Sequence, residues 1–232
     1  MIEAVLFDLD DTLFEQRRWL EGAWRAVAAV GEGRGVDAVA LHAALLDVAS
    51  EGSGRGGIID RALARVGAGP LDVAPFVEAF RAHRPRQLPL YPGVREMLED
   101  LRRQVRVGLV TDGDPRIQRA KLDAVGLAGS FDVEVLSDAL GRARRKPHPA
   151  PLRTALAVLG VDPARAAFVG DRPDKDVAGA LAAGMLAVRV RSGEYAAVPD
   201  DPRPWRSVPD VTGAIRALRP LLAPVPSGLS VL

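Results

Sequence analysis

The 232-residue chain contains no cysteine, which excludes disulfides and thiolate chemistry and fits a reducing compartment. No run of about 20 apolar residues occurs, so no membrane-spanning helix is expected. The N-terminus has no basic stretch leading into a long apolar segment, so no secretory signal is expected and the cytoplasm is the expected location. An excess of charge of one sign is also lacking. Lys and Arg number 31 against 30 Asp and Glu, a net charge of +1, so no strong field points to nucleic acid or to a membrane surface. What remains is 48% hydrophobic and 26% charged, ordinary for a globular protein. The length suits one large domain or a core with an insert. Monomer and homodimer are equally compatible with it.

The opening segment carries the first chemical signal. An apolar run from Ile2 to Phe7 stops at two carboxylates, Asp8 and Asp10. Side chains in a strand alternate faces, so extended backbone would project Asp8 and Asp10 together from the strand's carboxyl end. Two like charges that close are costly unless a cation or proton lies between them. The pair suits an Mg2+ site in which one carboxylate attacks and the other carries a proton. Asp11, beside them, reads as a turn residue.

Residues 15–88 have a different texture. Helical stretches are expected around Arg18 to Val30, Val36 to Ala49, Ile58 to Val66 and Val73 to Ala82, separated by glycine-rich loops. From Tyr91 onward helices and strands alternate. Strands are predicted at Val105 to Val110, Val133 to Leu136, Ala166 to Val169 and Leu186 to Val190, the last of the clear ones. Helices are predicted after Val94, at Pro115 to Val125, at Leu152 to Leu159 and at Val177 to Ala183. Such alternation implies an α/β fold with a parallel sheet covered on both faces, binding ligands at the carboxyl ends of its strands. Three predicted strands end there in polar residues: Asp8 with Asp10, Thr111 with Asp112, and Asp171.

Asp8-Leu-Asp10-Asp-Thr12, Thr111-Asp-Gly113, Lys146-Pro-His-Pro149 and Gly170-Asp171-Arg-Pro-Asp-Lys-Asp176 together resemble the four ordered motifs of the haloacid dehalogenase-like hydrolase superfamily. The helical insert resembles the cap of its subfamily I, phosphatase-type members. The resemblance implies a Rossmann-like, doubly wound parallel-sheet core at residues 1–14 and 89–219. It also implies a small α-helical cap at 15–88, with 220–232 left as a C-terminal tail.

It further implies roles for individual residues. Asp8 is the expected nucleophile, forming an aspartyl-phosphate, and Asp10 the expected general acid and base. Asp8, Asp171 and the backbone carbonyl of Asp10 would bind Mg2+. Thr111 would hydrogen-bond a phosphoryl oxygen, and the amides near Asp112 and Gly113 would cradle another. Members commonly carry Asn at the Asp112 position, and an added carboxylate near a phosphate is mildly unfavourable, so its side chain is expected to point away and only its backbone to contribute. Lys146 would offset charge on the phosphoryl group and on Asp8. Asp176 is the expected partner that orients Lys146 or metal-bound waters, with Asp174 its competitor. His148 is expected to be structural, and Arg142, Arg144 and Arg145 solvated or weakly attracting an anionic substrate. Arg55, in a glycine-rich loop of the cap, is the candidate for reading the far end of the substrate.

The expected activity is hydrolysis of a small phosphate monoester, with phosphomutase chemistry as the alternative. Asp10 weighs against a haloacid dehalogenase, because a departing halide needs no acid. A binding protein that has lost catalysis is the remaining class. A dinucleotide site at Gly31-Glu-Gly33-Arg-Gly35 is rejected, because the spacing is wrong and no strand precedes it.

Overall fold

The computed structural model describes residues 1–52 and 56–223. Arg55 and residues 224–232 of the tail lie outside the described residues. The chain divides into two compact units, one of Met1–Glu15 with Pro89–Leu232 and one of Gln16–Leu88.

The first unit is built on a parallel sheet. Its strands are β1 (Ala4–Phe7), β2 (Arg106–Thr111), β3 (Val133–Leu136), β4 (Ala166–Gly170), β5 (Leu186–Val190) and β6 (Arg206–Val208), in the order β3-β2-β1-β4-β5-β6. All neighbouring pairs are parallel. The central strands β1 and β4 are buried throughout, as expected of strands covered on both faces. Helices α5 (Val94–Arg102), α6 (Pro115–Val125), α7 (Ala150–Leu159), α8 (Ala178–Ala183) and α9 (Val211–Leu218) connect and flank them. Ala4, Leu6, Val110, Val135 and Phe168 from the strands share one core with Leu152, Leu156, Ala180 and Ala183 of α7 and α8.

The strand order reverses direction at β1, whose neighbours are β2 and β4. That is a topological switch point, where loops diverge and leave a crevice at the carboxyl ends of the strands. Asp8 follows β1, Asp171 follows β4, and Thr111 closes β2.

The second unit contains α1 (Gln16–Glu32), α2 (Ala38–Ser50), α3 (Ile58–Arg65) and α4 (Ala74–Ala82). Trp24, Val27, Leu41, Leu45, Leu63 and Phe76 form its own core. Asp37 caps α2, accepting from the Ala40 amide at 2.7 Å.

Several expectations shift in detail. Strand β1 begins at Ala4, and Ile2 instead makes an isolated bridge to Leu222 near the chain end. The helix expected at Val177 to Ala183 is preceded by a five-residue π-turn, Pro173–Val177, and becomes regular only from Ala178. The edge strand β6 and the helix α9 were not predicted. Strand β6 has only three residues and no apolar run, whereas α9 carried a readable signal in Asp210, which caps it through the Gly213 amide at 2.7 Å. No helix among the described residues is long and apolar enough to cross a membrane.

Candidate active site

Backbone pairing extends one residue past β1, because the Asp8 amide donates to Val169 O at 2.9 Å. The chain then turns back, with the Leu13 amide bonding Leu9 O at 3.0 Å and Asp11 in the left-handed region at φ 54°. Asp10 still makes a bridge to Phe14 before the turn, but the carboxylates of Asp8 and Asp10 acquire different neighbours. Asp11 is held in its turn by the loop after β5, where Ser192 Oγ donates to its carbonyl oxygen.

Asp8, Asp171 and Asp176 each bring a carboxylate oxygen within 4.8 Å of the others, and all three are buried. Lys146 lies among them. Its Nζ donates to Asp8 Oδ1 at 2.6 Å, pairs with Asp176 Oδ1 at 2.8 Å, and reaches Val110 O at 3.1 Å. The Phe168 ring lies beneath the ammonium at 5.2 Å. Burial pushes the Asp8 carboxyl up to about 7 against the pull of Lys146, with Asp176 and Asp10 adding repulsion. Burial, then Asp176 and Asp8, also raises Asp171 well above the carboxylate range. Burial alone would lower the Lys146 ammonium, but Asp176 and then Asp8 hold it above the ordinary lysine range.

The acidic residues after β4 separate clearly. Asp174 pairs with Arg172 at 2.7 Å, and 58% of its side chain is exposed. Asp176 is buried, and its second oxygen accepts from the Arg172 amide at 3.0 Å. Hydrogen bonds thus occupy Asp8 Oδ1 and both oxygens of Asp176. Among the described residues, Asp8 Oδ2 and the Asp171 carboxylate are side-chain oxygens available to a cation. A hard divalent ion fits this donor set, since three buried carboxylates face a single ammonium and a cation would relieve their repulsion.

Asp10 belongs to a neighbouring cluster. Both of its oxygens lie 2.8 Å from Lys121 Nζ, and Oδ2 also accepts from Gln118 Nε2 at 3.0 Å. The same Nε2 lies 2.8 Å from Thr111 Oγ1 and 2.5 Å from Asp112 O. The Asp112 side chain does not simply point away. Its Oδ1 accepts from Ser137 Oγ at 2.6 Å and from the Lys146 amide at 3.2 Å, so it anchors the loop that delivers Lys146. Gly113, with φ 130°, packs against Gln118. Arg145 is not merely solvated, because it makes a two-pronged pair with Asp138. His148 Nδ1 accepts from the Ala150 amide at 3.1 Å, at the start of α7.

Gln118 and Lys121 were absent from the sequence-based candidates. Their spacing of three places them on one face of α6, but that face is otherwise apolar. Nothing local distinguishes an inward lysine from a solvated one.

A model of the haloacid dehalogenase-like hydrolases matches residues 2–184. The chain is 38% identical over 218 residues to a glyceraldehyde 3-phosphate phosphatase of Methanopyrus kandleri, covering 90% of this chain and 92% of that one. It is 35% identical to a phosphoglycolate phosphatase of Rhodospirillum rubrum, covering 83% and 81%. Among solved structures, the 2-haloacid dehalogenase of Pseudomonas syringae pv. Tomato superposes with a TM-score of 0.67 at 27% identity, covering 95% of this chain and all of that one.

Proposed function

The chain belongs to the haloacid dehalogenase-like hydrolase family, and from that premise we propose an Mg2+-dependent phosphatase that hydrolyses a small phosphorylated metabolite through a phospho-aspartate at Asp8. The observation that carries this reading is the buried meeting of Asp8 with Lys146 at 2.6 Å, with Asp171 and Asp176 alongside. An anionic nucleophile beside a fixed cation suits attack on an anionic phosphoryl group.

Asp8 bonds to phosphorus as the bond to the leaving oxygen breaks, and Asp10 gives that oxygen its proton. Water then attacks the aspartyl-phosphate, Asp10 takes the water's proton, and the Asp8 carboxylate is released. Lys146 stays protonated, offsets phosphoryl charge and is itself oriented by Asp176. Thr111 offers its hydroxyl to a phosphoryl oxygen, with the backbone at Asp112 and Gly113 beside it. Bound Mg2+, held by Asp8, Asp171 and the Asp10 carbonyl, would supply further charge neutralisation at the phosphoryl oxygens.

Asp10 favours ester hydrolysis over carbon–halogen cleavage, since an alkoxide leaves far better with a proton and a halide needs none. The phosphatase relatives, at 38% and 35% identity, support the same choice. The test is phosphate release with Mg2+ across a panel of phosphorylated metabolites, beginning with glyceraldehyde 3-phosphate and phosphoglycolate. At least one should be hydrolysed, and Asp8→Asn should abolish release. No release from any member would favour a non-catalytic binding protein.

A further inference from the structure

Lys121 is an unexpected occupant of the buried face of α6. Ala120, Leu122, Ala124 and Val125 around it are buried and apolar, and only 4% of its own side chain is exposed. Burying an ammonium is costly unless a counter-charge meets it. Even a matched buried pair stabilises a fold no better than apolar side chains of similar volume. Stability therefore gives no reason for a lysine here, whereas the atoms it touches do.

A carboxylate offers about four lone-pair sites. Lys121 Nζ, 2.8 Å from each Asp10 oxygen, occupies one site on Oδ1 and one on Oδ2. Gln118 Nε2, at 3.0 Å, faces the second site on Oδ2 and shares its two protons among Asp10 Oδ2, Thr111 Oγ1 and Asp112 O. One site remains, on Oδ1. Gln118 is itself buried and bonded to Thr111 Oγ1 at 2.8 Å, so the clamp is tied to the end of β2.

We infer that Lys121 and Gln118 are positioning residues that hold Asp10 with one lone pair free, on Oδ1, as the position where it exchanges its proton. The inference rests on the proposed role of Asp10 as general acid and base. In the first half-reaction the proton on Oδ1 passes to the leaving oxygen as its bond to phosphorus breaks. In the second, a proton from the attacking water returns to Oδ1 as the bond between phosphorus and Asp8 breaks. Lys121 keeps its own protons throughout.

Two aryl esters of similar shape separate this role from a structural one. Phenyl phosphate has a basic leaving oxygen that needs the acid, whereas 4-nitrophenyl phosphate does not. Lys121→Met should lower turnover of phenyl phosphate by at least about tenfold, a fraction of what a general acid contributes. With 4-nitrophenyl phosphate the first turnover should stay fast and the steady state should slow, giving a burst of about one equivalent of nitrophenolate. In an Asp10→Asn background, Lys121→Met should cost no more than about twofold, because coupled residues are not additive. Gln118→Leu should give the same pattern more weakly, and it carries the test if Lys121→Met does not fold.

Equal losses on both esters without a burst, or full additivity with Asp10→Asn, would overturn the inference. If Asp10→Asn alone leaves phenyl phosphate turnover intact, the acid–base reading of Asp10 fails first. If Asp10→Asn impairs turnover and neither Lys121→Met nor Gln118→Leu does, only the positioning role fails.

Discussion

Asp8, Asp171 and Asp176 crowd three carboxylates against one ammonium, and burial sets the sign of what pH does to them. Asp8 is pushed from an ordinary 3.8 up to about 7 in the folded protein. Between those values the folded state holds a proton that the unfolded chain has released, so stability falls as pH rises through that window. One such group contributes a slope of about 1.4 kcal/mol per pH unit. Asp171 acts in the same direction. In chelator, the stability of the wild type relative to Asp8→Asn should therefore decline from pH 5 to pH 7, measured by urea denaturation at each pH. Saturating Mg2+ should reverse that decline, since a bound cation favours the ionised carboxylates. At this scale Asp8, Lys146, Asp171 and Asp176 were legible in the sequence, because each falls in one of the four ordered motifs that carry the family resemblance. Lys121 and Gln118 were not, because hydrophobic periodicity marks which face is buried and says nothing of a charge buried within it.

Strands β1 and β4 lie side by side with Phe7 opposite Val169, which brings Asp8 and Asp171 out at one edge. The π-turn Pro173–Val177 then directs Asp176 back toward that edge, a departure from regular helix of the kind often found at functional sites. Gly170 makes this return path available, because a Cβ there would collide with the Asp176 carboxylate. Gly170→Ala should therefore displace Asp176 from Lys146. The expected result is at least a tenfold loss of kcat/KM, with a stability loss of about 1–3 kcal/mol typical of overpacking. Gly33→Ala, where a Cβ meets nothing within 4 Å, should change stability by less than about 0.5 kcal/mol. Steady-state kinetics and urea denaturation of the two variants make the comparison. Most elements were legible from apolar spacing and terminal glycines: α6 and α7 close at Gly126 and Gly160, both in the left-handed region. Strand β6 was not, because Arg206-Ser-Val208 takes its strand geometry from pairing with β5 and has little apolar signal of its own.

Each of the two compact units has its own apolar core. Native-state hydrogen exchange should accordingly resolve two cooperative groups of amides, Gln16–Leu88 and the sheet-bearing remainder, with separate denaturant dependences. A single shared dependence would show that they unfold as one. The sequence by itself determined the kinds of element, the change of texture between residues 15 and 88, and the carboxylates and lysine of the four motifs. The first two are carried by local spacing, which needs no knowledge of neighbours distant in the chain, and the third by the resemblance of four ordered motifs to a known family. Only the tertiary structure decided which charges meet. Lys146 reaches Asp8 across 138 positions, and Lys121 reaches Asp10 across 111. Such pairings depend on strand order and on which helix face turns inward. The burial that makes them strong exists only once the sheet and its helices have closed around them.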